Sequence, residues 1–362
     1  MSYLGEKGIF SFREGKCEEI SRSAAGSTEM AAFGRTIAPF FSRFSVGSCG
    51  FQRLHLLYAL CSGISECGKD VFICENTDLP SFRFGSPLIS ADCGIFIGSG
   101  TGLELSFFDR SGAVLPVSVL EKIMNSEPAP AAGKSGKITS ATSFRNIYVN
   151  NISDSLNGVG FPISAGISCG NRSVRSLWLE FFTGEDDELV FQISDDGQRV
   201  NAYSRELGFV SYERLILAYA LKLADSGEKI WLPESFHYGA ELACDNGIIR
   251  FSDDSGIPEN AENSRFLRDS LYMCCHLAND RIRFISAVRR IPSISSVKRE
   301  IAADNAEKAP LRRMIDDDKG RVIITRSGKN RLTLLAQAMS SETAAELCNI
   351  WTDKLKNNSD TL

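Results

Sequence analysis

The sequence predicts a multidomain α/β protein, and three observations carry that prediction. Helical and strand patterns alternate along the chain, which is the grammar of βαβ sheets. The 362 residues exceed the roughly 250–300 at which a single core stops growing. A Pro-, Ala-, Gly- and Ser-rich stretch, Ser126–Lys137 (SEPAPAAGKSGK), interrupts the pattern as a linker would.

Taken in order, Arg53–Gly68 reads as a helix, because Leu54, Leu57, Tyr58, Cys61 and Ile64 recur at helical spacing and Gly68 suits its end. Val71–Cys74 is a short strand, followed by a loop at Pro80. Gly94–Ile97 is a compact buried strand. Beyond the linker, Pro162–Ser168 reads as a strand, Ser173–Phe182 as a helix and Leu189–Ile193 as a strand of β-branched and aromatic residues. Ser211 caps a helix running to Asp225, with Gly227 behind it. Lys229–Leu232 and Gly247–Phe251 are strands, a short helix ends near Glu241, and Leu267–Leu277 is a helix. Ile291–Pro310 is polar and irregular. Strands Arg321–Thr325 and Arg331–Gln337 then lead to a final helix from Ser341, its cap, to about Lys356.

Composition excludes several classes. With 43% hydrophobic and 23% charged residues, the chain is an ordinary globular one. The net charge is −5, and the basic pairs Arg281/Arg283, Arg289/Arg290 and Arg312/Arg313 are short and broken by apolar residues. No basic face for nucleic acid is expected. The 11 cysteines include no C-x-x-C pair, and the three histidines, His55, His237 and His276, lie far apart. Reduced thiols are expected, with no zinc site. Met1–Phe12 has no long apolar segment, and no run approaches the ~18 apolar residues of a membrane span. A cytoplasmic protein without membrane contact is expected.

Four loops follow strand patterns, where α/β proteins place their ligands. The first, Gly94–Gly102 (GIFIGSGTG), offers backbone N–H groups and the hydroxyls of Ser99 and Thr101 to an anion, although glycine-rich strand ends are also ordinary turns. The second, Ser194–Arg199 (SDDGQR), sets Asp195 and Asp196 at a strand end, as hard oxygen ligands for Mg²⁺ or as a solvated acidic turn. Arg199 beside them suits a phosphate or carboxylate. The third, Ser252–Ser264, is polar; Glu259 and Glu262 can reach a sugar hydroxyl or simply face solvent. The fourth, Thr325–Arg331 (TRSGKNR), combines backbone N–H groups, a hydroxyl and cations, as a phosphate site or a plain basic hairpin.

The stretch Ala91–Leu115 (ADCGIFIGSGTGLELSFFDRSGAVL) resembles the phosphoserine-loop region of the α-D-phosphohexomutases, the phosphoglucomutase and phosphomannomutase relatives. There a strand GIMI enters T-A-S-H-N-P and leads on to K-F-F-x-x-x-G. Gly94–Ile97 matches the strand, and Phe107-Phe108-Asp109 with Gly112 matches the later part. The resemblance runs through the chain in order. It is densest at Lys69–Gly112, Glu188–Leu215 and Arg321–Met339, while the region before Asp196 and the sugar loop are contracted. It implies four α/β units: three mixed-sheet units and a small C-terminal sheet-and-helix domain. The implied boundaries are 1–125, a linker at 126–140, a shortened 141–203, then 204–290 and 291–362.

The departures fall on the chemistry. Aligned on Gly94–Ile97, the family's phosphorylated serine lands on Gly100, which has no hydroxyl to carry a phosphoryl group. Its His and Asn land on Thr101 and Gly102. The three Mg²⁺-binding aspartates of D-G-D-x-D-R land on Ser194, Asp196 and Gln198, with the arginine kept as Arg199 and Asp195 a newcomer. Mg²⁺ is therefore expected to bind weakly or not at all. The sugar-reading G-E-x-S-G is absent, so sugar contacts are unassigned. The phosphate loop R-P-S-G-T-E-P keeps Ser327-Gly328, with its arginine displaced to Arg326 and Lys329 following. In the early motif V-G-x-D-x-R, Val46-Gly47 is kept, but the charged positions fall on Cys49 and Phe51. The resemblance then implies a protein that binds a sugar phosphate or similar anion through Arg199, Arg326, Ser327, Gly328 and Lys329 with little or no mutase turnover. It leaves open an active mutase using Ser99 or Thr101, and a regulatory protein partner of an intact mutase.

Overall fold

The structure, a computed structural model, describes residues 10–13, 16–19, 26–49, 53–98, 103–142, 144–156, 158–233, 236, 240, 248–252, 264–302, 312–328 and 331–357. The chain forms two units, one of residues 1–212 with 265–281, the other of 213–264 with 282–362.

The first unit is organised by a seven-stranded sheet. Strands β1 (Phe10–Arg13) and β2 (Lys16–Glu19) form one edge. Then follow α1 (Ser27–Ile37), β3 (Arg43–Ser48), α2 (Leu54–Glu66), β4 (Asp70–Cys74), α3 (Leu79–Leu88), β5 (Cys93–Ile97) and β6 (Glu104–Asp109). Helix α4 (Val117–Met124) leads to β7 (Ile138–Ser140) and α5 (Phe144–Ser155). The order is β1-β2-β6-β5-β3-β4-β7; β5, β3, β4 and β7 run parallel, and β6, beside β5, is antiparallel. Every residue of β5 is buried. Ile95 and Ile97 face the cluster under α1 and α2, while Phe96 faces the one under α3 and α5. Burial on both faces explains why β5 reads as an unbroken apolar run.

Helix α2 buries Leu57, Leu60, Cys61 and Ile64 completely, one apolar stripe at 3.6-residue spacing. It crosses α1 at two glycines. A Cβ on Gly34 would stand 2.5 Å from the Leu60 carbonyl, and one on Gly63 would strike the carbonyl of Ala31. Only glycine permits this backbone approach.

Helix α3 corrects the loop expected at Pro80. Asp78 caps it, its side chain accepting from the Ser81 amide at 2.8 Å. Pro80 lies in the first turn, where a missing N–H costs nothing, so proline there begins a helix instead of ending one. Phe82 packs its ring against Phe96, Phe108 and Phe144, with centroids 5.4, 6.4 and 6.5 Å apart.

The stretch expected as a linker is fastened to this sheet. The amides of Ala129, Ala132 and Gly136 donate to the carbonyls of Arg35, Glu66 and Ser65 at 3.2, 2.8 and 2.8 Å. Ile138–Ser140 then pairs with β4.

A five-stranded sheet completes the first unit, in the order β12-β11-β10-β8-β9. It comprises β8 (Ile163–Ser168), β9 (Phe182–Gly184), β10 (Leu189–Ile193), β11 (Val200–Ser204) and β12 (Gly208–Val210). Helix α6 (Arg172–Trp178) follows β8 and is shorter than expected, because Phe182 belongs to β9. Trp178 is fully buried and stacks on Phe182 at 5.7 Å.

Helix α7 (Tyr212–Asp225) opens the second unit and is buried almost all round, from Leu215 to Leu221. Parallel strands β13 (Ile230–Pro233) and β14 (Ile249–Ser252) follow. The chain returns to the first unit for α8 (Ser270–Asn279), capped by Asp269. It then enters α9 (Arg281–Arg290). Arg214 Nη2 donates to the carbonyls of Val288, in the last turn of α9, and Ile291, just beyond it, both at 3.0 Å.

The last sheet runs β15-β18-β17-β16, all antiparallel: β15 (Ser295–Ala302), β16 (Arg312–Asp317), β17 (Gly320–Gly328) and β18 (Arg331–Ala338). Strand β15 corrects the irregular region expected after Ile291. It pairs with β18 over its whole length, but as an edge strand it is mostly solvated and carries no apolar signature. Helix α10 (Ser341–Asn357) lays Ala344, Leu347, Cys348, Trp351 and Leu355 on this sheet. Its cap is Ser340, not Ser341, because the Ser340 hydroxyl accepts from the Thr343 amide at 3.1 Å.

Among the described residues no helix is long and apolar enough to cross a membrane. Cys49, Cys61, Cys67, Cys74, Cys93, Cys169, Cys274, Cys275 and Cys348 are free thiols.

Candidate functional site

The first loop leaves the sheet where β5 ends. The Gly98 amide donates to the Glu104 carbonyl at 2.8 Å, closing the β5–β6 arm. The Gly98 carbonyl accepts from Arg53 Nη1 at 2.8 Å. Arg53 thus ties the start of α2 to this strand end. Sequence reasoning passed over it because the early motif placed its basic residue at Phe51, two positions earlier. Ser99, Gly100 and Thr101 lie outside the described residues.

The second loop is a hairpin turn between β10 and β11, with Ile193 paired to Val200. The Ser194 amide donates to the Arg199 carbonyl at 2.9 Å, and the Gly197 amide to the Ser194 carbonyl at 2.8 Å. Gly197 takes φ +73°, which glycine adopts without strain. Asp196 is turned into the hairpin: its Oδ1 accepts from the Ser194 hydroxyl at 2.6 Å and the Gln198 amide at 3.0 Å. Gln198, at the family's third aspartate position, is held as an acceptor by Arg83 Nη1 at 2.7 Å. Its carbonyl accepts from the Ser270 hydroxyl at 2.6 Å. Asp195 and Arg199 are exposed.

Asn171 joins this turn to α6. Its Oδ1 accepts from the amides of Ser173 and Val174 at 2.9 and 3.4 Å, the pattern of an N-cap. Its Nδ2 donates to the Asp195 carbonyl at 2.9 Å. An asparagine can do both because one end of its amide accepts and the other donates.

These two strand ends meet on one cavity of about 270 Å³. Gly98, Glu104 and Ser106 reach it from the first sheet; Asn171 and the turn Ser194–Asp196 reach it from the second. Leu79 and Phe96 give it an apolar floor. The volume is just below the roughly 300–1,000 Å³ of small-molecule pockets, and the mix of apolar wall and few polar groups is typical of them. Three carboxylates line it, those of Glu104, Asp195 and Asp196. Among the described residues no three His, Cys, Asp or Glu side chains cluster closely enough to hold a metal ion. Mg²⁺ wants an octahedron of oxygens, and of the Asp196 carboxylate it is Oδ1 that bonds within the hairpin.

Helix α3 carries two groups whose ionisation its surroundings shift, Asp78 at its cap and Arg83 within it. Burial pushes the Asp78 carboxyl up, against the Ser81 hydrogen bonds and the charge of Arg145, which pull it down. Burial also lowers the Arg83 guanidinium to about 10, so it stays charged at neutral pH.

The other expected residues are arranged differently. Arg326 is a strand residue of β17, paired with Leu332, and Gly328 pairs with Arg331. The register shifts between Arg326 and Gly328, which puts Ser327 at an irregularity. The open phosphate loop expected over Thr325–Arg331 is thus mostly ladder. Val322 and Ile324 alternate inward opposite Ala336 and Leu334, and the pairing they anchor continues past Thr325. Lys329, Glu259 and Glu262 lie outside the described residues.

No family model and no curated protein matches this chain. Solved structures do. A provisionally assigned phosphomannomutase from Thermus thermophilus superposes with a TM-score of 0.64 at 13% identity, covering 96% of this chain and 99% of its own. A phosphoglucomutase/phosphomannomutase family protein from Burkholderia thailandensis gives 0.65 at 12%, covering 94% and 96%. The chain has the phosphohexomutase fold over nearly its whole length, as the resemblance around Gly94–Gly112 led one to expect.

Proposed function

We propose that this chain binds a small phosphorylated sugar in the cavity at the ends of β5 and β10, with mutase turnover lost or much reduced. The observation that carries the reading is the convergence of those two strand ends on one cavity in a chain of phosphohexomutase fold. Glu104 and Asp195 are acceptors for sugar hydroxyls, Leu79 and Phe96 offer an apolar face to the pyranose ring, and Arg199 is the phosphate contact in this unit. The hairpin of the second unit, with Arg326, Ser327, Gly328 and Lys329, is a further anion contact in its own right. Phosphoryl transfer needs a placed nucleophilic oxygen, and position 100 carries none. Mg²⁺ is not required for binding in this reading.

Thermal denaturation with glucose 1-phosphate or mannose 1-phosphate tests the binding. A ligand at 100 times its Kd adds about 2.7 kcal/mol to the folded state. Phosphorus NMR on the same sample, with Mg²⁺ and glucose 1,6-bisphosphate added, tests turnover. Stabilisation that Glu104→Gln weakens, without isomerisation, is the expected result. Isomerisation at ordinary enzyme rates overturns the loss of turnover; absence of any stabilisation overturns the binding.

A further inference from the structure

A second cavity of about 270 Å³ lies in the first unit, among α3, the turn at Ser111–Gly112 and the segment Arg265–Asp269. Three arginines line it, Arg83, Arg265 and Arg268, against one acidic residue, Asp269. That carboxylate is fully used. Its Oδ1 accepts from the Tyr148 hydroxyl at 2.6 Å and the Tyr272 amide at 3.0 Å, and its Oδ2 from Arg265 Nε at 2.9 Å.

The arginines are built in. Arg83 Nε donates to the Gly112 carbonyl at 2.6 Å, and its guanidinium lies 5.2 Å from the Phe108 ring. Arg265 sits over the rings of Phe84 and Tyr272 at 5.2 and 4.2 Å. Its Nη1 donates to Asn151 Oδ1 at 2.5 Å, while its Nη2 is buried with no hydrogen-bond partner among the described residues. Burial first, and then the charge of Arg268, lowers the pKa of Arg83, as expected where cations crowd one another. The remaining wall is apolar: Pro80, Phe84, Pro87 and Leu88.

We propose that this cavity binds a small oxyanion carrying an apolar body, an aryl or alkyl phosphate or carboxylate. Guanidiniums take oxyanions by paired hydrogen bonds, and a buried donor without an acceptor gains most from one. The apolar wall takes the hydrocarbon part. The site is lined by residues separate from those of the first cavity and stands whether or not that cavity binds a sugar phosphate.

Calorimetric titration of the full chain with phenyl phosphate, benzoate and inorganic phosphate tests the proposal. Phenyl phosphate or benzoate is expected to bind at least about tenfold tighter than inorganic phosphate, a difference of about 1.4 kcal/mol. The tighter of the two identifies the head group. Arg268→Gln removes a cation, and Leu88→Glu sets a carboxylate at the mouth from an exposed position, so at least the second keeps the fold. Each is expected to weaken binding about tenfold or more while melting within about two degrees of the wild type. The proposal fails if neither aromatic anion binds at millimolar concentration, if inorganic phosphate binds as tightly, or if both variants bind as the wild type does.

Discussion

Asn171 is where the second sheet's helix and the acidic turn depend on one side chain. Asn171→Ala removes the N-cap of α6, worth about 1 kcal/mol. It also removes the bond from Nδ2 to the Asp195 carbonyl, worth about 1 kcal/mol. The expected loss is therefore about 2 kcal/mol, or about 30-fold in the local folding equilibrium. Asn171→Ser separates the two effects. A serine hydroxyl still caps the helix, but it is too short to reach Asp195 as well, so the expected loss is about 1 kcal/mol. Trp178 is the reporter, because it lies on α6, is fully buried and stacks on Phe182. The chain's other two tryptophans, Trp231 and Trp351, are first replaced by phenylalanine, so that urea unfolding followed by fluorescence reads this sheet alone. If the serine variant is as unstable as the alanine variant, the cap is not carrying its share; if it is as stable as the wild type, the Asp195 bond is not. If the alanine variant loses less than about 0.5 kcal/mol, the level of an ordinary surface change, the bridging role is refuted.

Two further outcomes are expected. Gly34→Ala forces α1 and α2 apart by about half an ångström, from 2.5 Å to the 3.0 Å below which real Cβ contacts essentially never occur. Overpacking costs about 1–3 kcal/mol against about 1 kcal/mol gained in helix propensity, so the melting temperature should fall, whereas Gly133→Ala, with open space around it, should leave it unchanged. Asp78→Asn keeps the helix cap but removes a buried charge. Because burial raises the folded-state pKa of Asp78 above 3.8, the native state binds the proton more readily than the unfolded chain does. The wild type therefore gains stability as pH falls through the folded pKa toward 3.8, and lacks that gain at neutral pH. The asparagine variant should be the more stable at pH 7 and lose its advantage towards pH 4; a constant difference in urea midpoint would show that Asp78 is not the titrating group.

The strands that position the candidate site were legible because they carry strong local signals. Strand β5 is buried on both faces and so is continuously apolar, and β10 alternates with its partner β11. The side chains that complete the site were not. Asn171, Glu104 and Arg53 belong to no motif, and Asn171 and Arg53 acquire their roles from partners distant in the chain, Asp195 and Gly98. Helix α3 was hidden by Pro80, whose meaning changes with its position in a turn. Strand β15 was hidden because a solvated edge needs no apolar pattern.

Residue identity alone determined the α/β class, the likeness to the phosphohexomutases and the glycine at position 100, since a missing hydroxyl needs no coordinates to be missed. Tertiary structure alone decided that the ends of β5 and β10 share a cavity, that Asp196 turns its Oδ1 into its own hairpin, and that three arginines gather around a second cavity. Periodicity and motif record what a residue does for its neighbours in sequence. Charge crowding, hydrogen-bond saturation and enclosure are properties of neighbours in space.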